Sequence, residues 1–132
     1  MQSATQTAPV SKKLIWAGRI TSALPVLMLL ASGVMKLMKP DTLVKEFTRL
    51  GYDWDATLML GILEIGCTLV YLIPRTSVLG AILLTGYLGG AVATHVRIGD
   101  PSFFAPAIFG VLVWLGLYLR EARLRALLPL TR

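Results

Sequence analysis

Cys67 is the sole cysteine and His95 the sole histidine among the 132 residues. No intramolecular disulfide and no cysteine-only metal cluster can therefore form. With no second imidazole, His95 has no partner of its own kind for a metal. Cys67, flanked by apolar residues, reads as a small buried side chain rather than a reactive thiolate. The chain also lacks a Ser/His/Asp arrangement, a glycine loop for phosphate, a carboxylate pair at glycosidase spacing and any long-period repeat. Acidic residues are scarce, seven against thirteen lysines and arginines. The excess of positive charge lies beside apolar segments rather than on a patch interleaved with aromatics, which argues against a nucleic-acid partner.

What the chain has instead is hydrocarbon. Hydrophobic residues make up 55% of it, and mean hydropathy is +0.70. Charge vanishes from long runs and crowds between them, a distribution a soluble amphipathic helix would not show. Leu14 to Met35 is interrupted only by Arg19, and Ala56 to Ile73 only by Glu64. Val78 to Val96 carries no formal charge over 19 residues, and Phe103 to Leu119 none over 17. A bilayer needs about 20 apolar residues per helix, with a lower bound near 17. The pattern predicts one domain over 14–125, an all-α membrane four-helix bundle with spans at about 14–36, 56–73, 77–97 and 103–120. Residues 1–13 and 126–132 read as tails. Ala31-Ser32-Gly33 has the shape of a signal cleavage site, yet the run is long for a signal, so it reads as an uncleaved first span.

Between the first two spans, Pro40 stops the helix. Leu43, Phe47 and Leu50 then share one face of a short helix that fits the membrane interface. Gly51 ends it, and Tyr52 and Trp54 belong in the aromatic belt. Four spans place both termini on one side. Eight cations gather there (Lys12, Lys13, Arg19, Arg75, Arg120, Arg123, Arg125, Arg132) against five opposite (Lys36, Lys39, Lys45, Arg49, Arg97). That asymmetry predicts cytoplasmic termini.

Glu64 is the first functional candidate. A carboxylate deep in a bilayer is costly, so it should face the bundle interior and be neutral, paired or hydrated. Cys67, Thr68 and Tyr71 share its helical face, opposite a stripe of Tyr87, Gly90, Ala91, Thr94 and His95 on the third span. Equal depth from the Pro74 turn makes Tyr87 or Thr85 the expected partner of Glu64, with His95 roughly 12 Å further out at ~1.5 Å per residue. Gly86, Gly89, Gly90 and Ala91 form a small-residue stripe of the kind that lets helix backbones approach, which predicts a central position for the third span. His95, Arg97 and Asp100 cluster at its outer end with Lys36 at the same level. Arg97 is expected to pair with Asp100.

With these residues assembled, the chain resembles the DoxX-like family of small four-helix membrane proteins. The resemblance rests on Ala31-Ser32-Gly33-Val34-Met35-Lys36-Leu37 and Gly61-Ile62-Leu63-Glu64-Ile65. Its most specific part is the run from Gly89-Gly90-Ala91 through Thr94-His95-Val96-Arg97 to Gly99-Asp100-Pro101. It implies a four-helix bundle in a bacterial inner membrane. It implies no single chemistry, since members are tied to thiosulfate:quinone oxidoreductase, to redox-defence enzymes and to receptor assembly. Lys36, Glu64, His95 and Arg97 carry over as a polar signature without a catalytic role, and no metal is indicated.

The first expectation is an accessory or assembly subunit that takes a quinone or a membrane lipid beside Glu64. Lys36, His95, Arg97, Tyr87 and Thr94 would serve the ligand's polar end, and a quinone is the candidate cofactor. The second is a structural partner that docks a larger protein, or a second copy, through the stripe. A proton-coupled transporter ranks third, having one central carboxylate and no inverted repeat.

Overall fold

The computed structural model describes residues 11–128. The parts of the predicted tails at 1–10 and 129–132 lie outside the described residues.

Six α-helices make up the described chain, with no strand among its residues: α1 (Lys12–Met38), α2 (Asp41–Leu50), α3 (Trp54–Leu72), α4 (Ser77–Arg97), α5 (Phe104–Arg120) and α6 (Ala122–Leu127). One 3₁₀ turn, Pro74–Thr76, leads into α4, and a second, Pro101–Phe103, leads into α5. Four helical segments, Lys12–Met38, Trp54–Leu72, Pro74–Arg97 and Pro101–Arg120, are long and apolar enough to cross a membrane. Their outward faces carry large apolar side chains such as Ile20, Met59, Ile82 and Val111. In water that exposure would be unfavourable, whereas hydrocarbon accepts it. This is a multi-pass membrane protein.

Start signals act locally. The Ser11 side chain accepts from the Leu14 N–H at the head of α1, and Asp53 accepts from Ala56 at the head of α3. Each satisfies an amide that a helix start leaves without a partner. Asp41 is the first residue of α2, and Pro40 takes the cap position with no side-chain bond. Gly51 ends α2 at φ 96°, a left-handed conformation that suits glycine.

The four long helices close into a ring, α1 against α3 and α5, and α4 against α3 and α5. The third span is therefore not the hub expected from Gly86, Gly89 and Gly90, because the tight crossings run through other glycines. A Cβ on Gly18 would stand 2.6 Å from the Gly116 carbonyl, and one on Gly116 would stand 2.9 Å from the Ser22 nitrogen. These two glycines let α1 and α5 touch backbone to backbone. Gly80 does the same for the α3–α4 hairpin, where a Cβ would strike the Tyr71 backbone. Tyr71 then knots three helices. Its hydroxyl donates to the Val113 carbonyl at 2.7 Å and lies 2.8 Å from Ser22 Oγ, leaving Ser22 as the donor. Leu84, Val113 and Leu117 pack around it, almost wholly buried.

Candidate functional site

Glu64 is 2% exposed, and its partner is a cation. Lys36 Nζ lies 2.8 Å from Glu64 Oε2 and also donates to Ser32 Oγ at 2.7 Å. Ser32 Oγ in turn donates to the same carboxylate oxygen at 3.3 Å. Thr85 does not take the role expected of it, since its Oγ1 accepts from Trp114 Nε1 at 2.6 Å on the α4–α5 side. Tyr87, by contrast, stands beside Glu64 on the wall of one cavity. Depth counted along the helix axis placed Lys36 too far out. A helical side chain leans towards its own N-terminus, and the Lys36 stem carries the charge back down the bundle.

Two glycines open the path for that stem. A Cβ on Gly61 would lie 2.7 Å from Lys36 Cβ and 3.1 Å from the Gly33 carbonyl. A Cβ on Gly33 would press on Ile65 Cγ1. The Gly33–Gly61 crossing brings α1 and α3 together, so Lys36 passes over Gly61 to reach Glu64, one turn further along α3. Both partners are nearly sealed, with side chains 7% and 3% exposed. Taking two charges out of water costs several kcal/mol per ion. Close geometry and the Ser32 hydroxyl offset that cost.

Beside the pair lies a cavity of about 510 Å³, within the range of small-molecule sites. Its polar lining includes Ser32, Lys36, Glu64, Tyr87, Thr94 and His95. Met28, Leu60, Leu63, Phe47 and Phe109 supply much of the apolar wall. Gly86, Gly90 and Ala91 line it as well. A Cβ at Gly86, Gly89 or Gly90 would meet nothing within 4 Å. The stripe thus brings no helix of this chain close, contrary to expectation. At positions 86 and 90 the missing side chains widen the chamber, whereas Gly89 borders a separate groove with Ala107 and Gly110 on the α4–α5 side.

Helix α2 roofs the chamber with Leu43, Glu46, Phe47 and Leu50. The Lys36 ammonium lies 5.4 Å from the Phe47 ring centroid, within cation–π reach. The apolar face predicted for the interface therefore covers a cavity.

Arg97 does not line the cavity and does not pair with Asp100. It donates to the Leu50 carbonyl at the end of α2, where lysines and arginines satisfy terminal C=O groups. Asp100 instead accepts from Arg49, and Arg49 also holds Glu46. The Arg49 guanidinium, helped by the Ser102 N–H, pulls the Asp100 carboxyl down to about 2. The hydrogen bond from Arg49 likewise lowers Glu46. Tyr52 adds a third tie, its hydroxyl 2.9 Å from Thr94 Oγ1, while Thr94 donates to the Gly90 carbonyl. His95 Nδ1 lies 2.8 Å from the Ala91 carbonyl within its own helix.

A family model described as DoxX-like matches residues 20–116. The chain belongs to the DoxX-like family. Comparison with curated proteins and with solved structures gave no match. The match spans α1 to α5 and takes in both the buried pair and its roof. In this DoxX-like chain the sequence signature holds two structural units. Lys36 and Glu64 form one inside the bundle, while Arg97 and Asp100 serve the other by fastening α2. Ser32 and Arg49 escaped the sequence reading. Ser32 sits one turn before Lys36, a spacing that could have flagged it, but Arg49 meets Asp100 only through the tertiary fold.

Proposed function

We propose that this DoxX-like protein is an accessory or assembly subunit in a bacterial inner membrane, its termini cytoplasmic, and that it holds one quinone- or lipid-like molecule in the chamber under α2. The observation that carries this reading is the buried Lys36–Glu64 pair on the wall of a mostly apolar cavity. A ligand with an apolar body and a polar head suits such a wall. The body packs on Met28, Leu60, Leu63 and Phe109. A carbonyl or phosphate oxygen on the head accepts from the Lys36 ammonium or the Tyr87 hydroxyl, and a hydroxyl head donates to Glu64. The quinone link rests on the chemistry of the chamber and on the redox associations of the family.

The test is to purify the protein in mild detergent, extract it with organic solvent and quantify quinones and lipids by mass spectrometry. Wild type should retain one species near stoichiometrically. Gly90→Leu, which projects a side chain into the chamber, should lose it. Equal retention by both would overturn the proposal.

A second reading attaches to the Gly89 groove: a docking face for a larger membrane protein or a second copy, made shallow by Gly89, Ala107 and Gly110. The two readings separate on neighbouring residues. Gly89→Leu blocks docking and spares the chamber, and Gly90→Leu does the reverse.

A further inference from the structure

At the end of the bundle where α1 begins and α5 finishes, the structure holds a second cavity of about 980 Å³. Its charged lining consists of Arg19, Arg75, Arg120, Arg123 and Glu121. Three separate parts of the fold supply these groups: α1, the Pro74 turn, and the α5–α6 junction. Glu121 is taken, since it accepts from Arg123 Nε at 3.4 Å and caps the start of α6 through the Arg123 N–H. Arg19, Arg75 and Arg120 form no salt bridge with any described residue. The lining thus has a net charge of +3 with its one carboxylate occupied.

Arg120 is the decisive residue. Its Nε is buried without a hydrogen-bond partner among the described residues, and its Cζ stands 5.3 Å from the Tyr71 ring centroid. A buried guanidinium donor left without an acceptor has lost its hydration with nothing in return, which is unfavourable. An external anion relieves that cost. Ile15, Val26, Leu27, Leu72 and Val78 give the same cavity an apolar wall, with Val26 and Leu27 two turns further along α1 than Arg19.

We propose that this cavity binds a phosphate group, presented by an anionic phospholipid whose acyl chain lies along the Ile15–Leu27–Leu72 wall. Arginine forks match phosphate oxygens bidentately, and juxtamembrane cations attract anionic lipid. The site is separate from the chamber beneath α2, at the other end of the bundle, and does not depend on the function proposed for that chamber.

The experiment is native mass spectrometry of the full chain in detergent. It is titrated with phosphatidylglycerol, with phosphatidylcholine, and with phosphatidylglycerol in the presence of inorganic phosphate. Wild type should bind phosphatidylglycerol selectively. The Arg19→Gln, Arg75→Gln double variant changes exposed residues and should keep the fold. It should bind phosphatidylglycerol roughly tenfold more weakly or worse. Arg120→Lys keeps the charge but loses the fork, and should weaken binding while leaving the melting temperature close to wild type. If millimolar inorganic phosphate leaves the lipid bound, the source is the headgroup. If it competes and binds alone, the phosphate chemistry stands with a soluble donor. Equal binding of the two lipids, or unchanged phosphatidylglycerol binding in the double variant, would overturn the proposal.

Discussion

Lys36 Nζ and Glu64 Oε2 stand 2.8 Å apart inside the bundle although their residues start from different depths in the membrane. The lysine stem spans the difference by leaning along α1 over the bare backbone of Gly61. Charge pairing, glycine placement and the chamber wall are in this way a single arrangement.

Removing one member of the pair should be far worse than removing both. Lys36→Met or Glu64→Leu alone leaves a buried charge uncompensated and should cost about 3–5 kcal/mol. The double variant should recover most of that loss. Thermal unfolding in detergent measures the cycle. Ligand retention supplies the second readout, because a purely structural pair predicts full recovery of binding and a ligand-holding pair predicts none.

Glycines in α3 should differ sharply by position. Gly61→Ala puts a Cβ against the Lys36 stem and the Gly33 backbone and should destabilise the protein. Gly66→Ala meets nothing within 4 Å and should be neutral, or stabilising by up to about 1 kcal/mol through helix propensity. If the two variants melt together, the close α1–α3 crossing is not the constraint described.

Arg97→Ala should loosen the roof without unfolding the bundle. The Leu50 carbonyl loses a charged donor, a contribution of about 1.5–3 kcal/mol for such bonds. Amide exchange should quicken in α2 while α3 and α5 stay protected. Uniform exchange throughout would mean that Arg97 supports the whole fold.

The Asp100 clamp should respond to acid. Its carboxyl is held down at about 2, against an ordinary value of 3.8, chiefly by Arg49. A depressed carboxylate stabilises the fold fully above its unfolded value and loses that stabilisation as pH falls through the folded one. Protection of α2 should therefore be constant above about pH 4 and decline towards pH 2. Asp100→Asn should show less protection at neutral pH and a flatter acid response. Parallel acid profiles for variant and wild type would exclude Asp100 as the group that titrates.

The order of apolar runs, their lengths and the single charge in the second span were enough to determine four membrane helices and an inward-facing Glu64. Hydrocarbon imposes that outcome along the chain, because every backbone amide must find its partner within its own helix. The short amphipathic helix after Pro40 was legible for the same local reason. What covers what was not. Periodicity reports which residues share a face, but not which face meets it. The glycine stripe of α4 therefore looked like a packing seam until the ring of helices left Gly86 and Gly90 beside a cavity. Lys36 and Glu64 are 28 residues apart, Arg49 and Asp100 are 51. Only the crossing of α1 on α3, and the fold of α2 onto the outer end of α4, decided that those charges meet.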